Sequence, residues 1–136
     1  MIQQITRDVD FLKQPSIKAT PKDKQAITDL TDTFNANADR AVGLAANMIG
    51  VDKQIIIVKM GLFPVIMVNP EITSKNGSYK ASEGCLSLFG ERETTRYHEI
   101  EVRYLDANFK PQRQKFTDFI AEVIQHEVDH CNGIII

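Results

Sequence analysis

Apolar residues first take up helix spacing in KDKQAITDLTDTFNANAD, where Ile27, Leu30 and Phe34 recur every three or four positions. Thr20 and Pro21 just ahead supply an N-cap and a first-turn proline, so a helix is predicted to start there. The period then changes. Residues 43–50, GLAANMIG, carry glycine at both ends and read as a turn or irregular strand rather than a helix. Residues 54–59 (QIIIVK) and 65–69 (VIMVN) are β-branched runs, which predicts buried strands. Asn76-Gly77 is a hairpin-type turn signal. Residues 99–105, EIEVRYL, alternate polar and apolar as a half-exposed strand does. Residues 106–111 turn into a further short strand around 114–116, and Thr117 or Asp118 caps a last helix. Along that helix Phe119, Val123, His126 and His130 fall on one stripe, which points the histidines into the core. Helix, strands, then helix, without regular βαβ alternation, predicts an α+β fold: one domain over residues 1–136, with antiparallel or mixed sheets around the C-terminal helix and a helix near the N-terminus.

Composition narrows the class without naming a chemistry. Apolar residues make up 43% and charged residues 25%, the balance of a globular protein long enough to bury a core. A formal charge of −2 gives no electrostatic footprint for nucleic acid or for an anionic membrane. The opening MIQQITRDVDFLK has charges where a signal peptide needs an apolar run, and no stretch has the length of a transmembrane helix. With no export signal, Cys85 and Cys131 are expected as reduced thiols or metal ligands rather than a disulfide. The expectation is a cytoplasmic protein.

Candidate chemistry begins at the chain's end. In VIQHEVDHCNGIII, His126 and His130 stand four apart with Glu127 between them, the H-E-x-x-H pattern that places two imidazoles on one helix face. A catalytic site of this kind takes a third protein ligand and leaves a position open for water. The residues 126–133 match the start of the metzincin pattern, but Ile136 stands where that pattern has its third histidine. With the sequence ending there, the third ligand is expected upstream. Cys131 lies about 100° around the helix from His130 and about 140° from His126, which suits packing rather than ligation. His98, in a polar stretch, reads as a surface histidine. Cys85, in Glu83-Gly84-Cys85-Leu86-Ser87, is the better candidate, beside a glycine that lets backbone approach closely.

These motifs together resemble the peptide deformylase family, which carries G-x-G-x-A-A-x-Q, E-G-C-x-S and H-E-x-D-H in that order. The second is intact at 83–87 and the third at 126–130. The first appears as AVGLAANM over 41–48, with Ala41 for a glycine and Met48 for the glutamine. The resemblance implies hydrolysis of the N-formyl group from formylmethionyl peptides of newly made proteins, by one bound divalent metal. Fe(II) is the implied native ion, with zinc, nickel or cobalt able to replace it. Carried over by position, Cys85, His126 and His130 are the ligands and Glu127 the general acid/base.

The resemblance also implies an oxyanion site formed by the Leu86 backbone N–H and the residue at Met48, which here has no donor. Loss of such a donor lowers the rate, by about 10²–10³ in known cases. Asn47 carries an amide, but neighbouring side chains in extended chain point apart. Val42, Gly43, Gly84, Leu86, Phe119 and Val123 are the implied substrate contacts, with an apolar pocket for methionine. Glu122 interrupts the apolar stripe four residues before His126. The implied partner is the N-formylated nascent peptide, with the ribosome nearby. Two other readings stay open: a deformylase-like amidase or peptidase of altered substrate, and a non-catalytic metal-binding paralogue.

Overall fold

The computed structural model describes residues 1–135. Its elements are α1 (Val9–Leu12), α2 (Lys24–Ala36), β1 (Gly43–Ala45), β2 (Ile55–Met60), β3 (Phe63–Cys85), β4 (Leu88–Leu105), β5 (Pro111–Thr117) and α3 (Asp118–Cys131). The five strands form one antiparallel sheet in chain order. This is an α+β fold, with α3 packed on β4, β1 and β2. Among the described residues no helix is long and apolar enough to cross a membrane.

The α2 start follows from its capping residues. Thr20 and Asp23 exchange side-chain and backbone hydrogen bonds, and Pro21 opens a short 3₁₀ turn that runs into the helix. Ile27, Leu30 and Phe34 then form its buried face. In β2 the residues Ile55, Ile56, Ile57 and Val58 are all buried, because the strand lies inside the sheet with both faces covered. In β4, Ile100, Val102 and Tyr104 are buried and Arg103 is exposed, the expected alternation. No side-chain bond caps α3, although Thr117 occupies the N-cap position.

Three expectations need correction. Asn76-Gly77 makes no hairpin: Asn76 opposes Glu99 and Ser78 opposes Tyr97 in the middle of β3, where Gly77 takes φ 75°. Long-range pairing with β4 overrides that local signal, and the chain reverses instead at residues 61–62 and 86–87. The strand read as 65–69 accordingly runs on to Cys85, bent by register shifts between Val68 and Glu71 and between Ile72 and Ser74. The stretch 43–50 divides into β1 and a 3₁₀ turn, Ala46–Ile49, which closes at Gly50 with φ 82°. Glycine there supplies the left-handed turn that ends the helical segment.

Candidate active site

The last residue of β3 meets the C-terminal half of α3. Cys85 Sγ lies 3.3 Å from His130 Nε2, and the ligand atoms of Cys85, His126 and His130 all fall within 4.8 Å of one another. Helical spacing sets the two imidazoles 5.3 Å apart between ring centroids. His126 Nδ1–H donates to Glu83 Oε1 at 2.8 Å, which leaves Nε2 for the cluster. The Ser87 backbone N–H donates to Cys85 Sγ at 3.4 Å and holds the sulfur in place.

Glu83 is itself held. Arg96 reaches its two oxygens at 2.7–3.2 Å and donates through Nη1 to Asp129 Oδ2 at 2.6 Å. Burial works against ionising Glu83, but the bonds from His126 and Arg96 prevail and hold its pKa at about 2. At His126 burial again opposes charge, and hydrogen bonds to Cys85 and Glu83 lift the pKa to about 10. At His130 burial is unopposed and drives it down to about 3. A soft sulfur with two ring nitrogens in reach of one point is a donor set that suits iron or zinc. The residues fit a metal.

Glu127 stands beside the Cys-His-His cluster, 4% exposed, with Oε1 lacking any hydrogen-bond partner among the described residues. Burial raises its pKa to about 7, where a carboxyl can both accept and return a proton at neutral pH. It faces a cavity of about 420 Å³ that is also lined by Met48, Cys85 and His126. Val42, Gly43, Gly84, Leu86, Phe119 and Val123 line the same cavity. Phe119 departs from the inward stripe: it is 60% exposed at the first turn of α3, at the cavity's rim. Gly43 is the tightest point. A Cβ there would come within 2.8 Å of Val123 Cγ1 and 3.0 Å of Glu127 Oε2.

Met48 is 1% exposed, and its Sδ accepts the Ala45 N–H at 3.4 Å. Asn47 turns away from the cavity and donates to the His130 carbonyl at 2.9 Å, so it supplies no oxyanion donor. Cys131 packs in the core, with burial raising its pKa to about 12. His98 is exposed and stacks on Tyr79 at 4.2 Å between centroids. Glu122 does line the cavity, and its Oε1 accepts from Tyr79 Oη at 3.0 Å. Sequence reasoning missed Arg96, whose surroundings (ETTRYHEI) look like a solvated strand. It also missed the tie from Glu83 to His126, for which the only signal was a carboxylate two residues before Cys85.

Comparison with known proteins finds similar chains over the whole length. A family model described as polypeptide deformylase matches residues 2–136. A peptide deformylase from Clostridium beijerinckii is 52% identical over the full length of both chains. Another, from Pelotomaculum thermopropionicum, is 41% identical over 93% of this chain and 83% of its own. Among solved structures, the peptide deformylase of Thermotoga maritima superposes with a TM-score of 0.89 at 28% identity, covering 99% of this chain and 95% of that one. The actinonin-bound class I type b peptide deformylase of Acinetobacter baumannii gives 0.88 at 29% identity, with the same coverage.

Proposed function

The chain belongs to the peptide deformylase family, and from that premise we propose that residues 1–136 form one catalytic domain, with Cys85, His126 and His130 as its metal ligands and Glu127 as its acid/base. Its reaction is hydrolysis of the N-formyl group of formylmethionyl peptides. The observation that carries the site assignment is the buried Glu127, unpartnered at Oε1 and set against the Cys-His-His cluster at the cavity wall.

Cys85 Sγ and the Nε2 atoms of the two histidines would hold the ion, with Fe(II) the native choice and zinc, nickel or cobalt as replacements. When bound, the ion supplies Lewis acidity that makes water a nucleophile at neutral pH and polarises the formyl oxygen. Glu127 takes a proton from the attacking water on a carboxylate oxygen. It returns that proton to the peptide nitrogen as the C–N bond breaks, giving formate and a free amine. The Glu83 carboxylate fixes the His126 ring by accepting its Nδ1–H, and Arg96 keeps Glu83 in place. The Leu86 N–H donates to the developing oxyanion, while Met48 contributes no donor, so turnover is lowered. Val42, Leu86, Phe119 and Val123 enclose the methionine side chain, and backbone at Gly43 and Gly84 meets the peptide. The substrate is a nascent chain, met at the ribosome in the cytoplasm.

The test compares formate release from a formyl-Met peptide with acetate release from its acetyl counterpart. Release from the formyl peptide alone is expected, at a lowered turnover. Equal rates on both, or release from neither, would overturn the assignment.

A further inference from the structure

The two histidines of the cluster are supported unequally. A metal-binding imidazole coordinates through one ring nitrogen and donates the other N–H to an acceptor, which fixes its tautomer and ring angle. His126 has that acceptor in Glu83. His130 has none among the described residues: its Nδ1 is buried without a hydrogen-bond partner, and the residue is 0% exposed. Because Nε2 is the atom beside Cys85 Sγ, the proton belongs on Nδ1. A buried donor is left without an acceptor.

Asn47 shows the converse. Its Nδ2 donates to the His130 carbonyl at 2.9 Å, linking positions 83 residues apart, while its Oδ1 is buried with no donor among the described residues. The helix end does not require this contact, since the Gly133 N–H already donates to the same carbonyl at 3.1 Å. So one residue lacks an acceptor, and the residue touching it has an acceptor to spare. Two such groups are satisfied together when a single buried water lies between them.

We propose that Asn47 is the positioning residue for the metal ligand His130: its amide nitrogen holds the His130 backbone carbonyl, and its Oδ1 accepts the Nδ1–H through one buried water. The inference rests on the ligand assignment above and extends it to a residue outside the cavity. It gives the 3₁₀ turn at 46–49 two tasks, since Met48 faces the cavity while its neighbour sets the angle of a ligand on α3.

Zinc affinity, measured by chelator competition, and the melting temperature of the metal-free protein would be compared for the parent, Asn47→Leu and Asn47→Asp. Aspartate, kept protonated by burial against the His130 carbonyl, donates through its O–H and keeps an acceptor oxygen; leucine loses both. Leucine is expected to weaken zinc binding about 10–100-fold and aspartate to stay within about threefold of the parent, while both lower the melting temperature. Equal loss in the two variants, or no loss in either, would overturn the proposal. Should the leucine variant fail to fold, ¹⁵N spectra of the zinc-loaded parent decide: a slowly exchanging Nδ1–H on His130 is expected, and rapid exchange with bulk water would contradict it. A parent that takes up no zinc overturns the ligand assignment as well, so the two failures are distinguishable.

Discussion

Among single residues, Glu127 and Met48 divide the labour at the cavity wall. Glu127→Gln keeps the size and burial of the side chain but cannot take a proton, so formate release should fall about 10²–10⁴-fold with metal content unchanged. Metal analysis and kinetics on one sample check both halves. Met48→Gln restores a donor at the cavity wall and should raise kcat, toward the 10²–10³ that an oxyanion donor is typically worth. An unchanged kcat would remove Met48 from the account. The Cys85, His126 and His130 cluster and the neighbouring Glu127 were legible in the sequence because each sits in a short motif whose spacing is set by a helix or a tight turn. Arg96 was not. Its partners, Glu83 and Asp129, lie 13 and 33 residues away, and no local period records such a pairing.

Between elements, the contact that matters most is β1 against α3. Gly43 is the point where a strand passes directly over the carboxylate, and Gly43→Ala would press a methyl group on Val123 and Glu127. Overpacking of this kind costs about 1–3 kcal/mol. Displacing Glu127 should also lower kcat, so a fall in melting temperature accompanied by lost turnover is expected. Lost stability with full turnover would mean that Glu127 is not held by this contact. Elements whose identity rests on their own residues were legible: the α2 cap and stripe, the buried run in β2, and the alternation in β4. The Asn76-Gly77 signal misled because the turn chemistry is local, whereas its outcome depended on β4 pairing across the whole of β3.

For the molecule as a whole, one largely buried charge network joins the sheet to α3. Arg96 on β4 binds Glu83 on β3 and Asp129 on α3, and Glu83 in turn binds His126. Arg96→Leu would leave Glu83 buried without its cation, a loss of about 3–5 kcal/mol in a denaturant titration. A loss under about 1 kcal/mol would show that the network orients ligands without holding the fold. The central claim is that one ion in the Cys85, His126 and His130 cluster makes this chain a deformylase. Its most direct test is to titrate metal-free protein anaerobically with Fe(II) while following formate release from a formyl-Met peptide. Activity should rise linearly with bound iron and level off at about one ion per chain. Formate release without bound metal, or a fully loaded protein that releases none, would contradict the account.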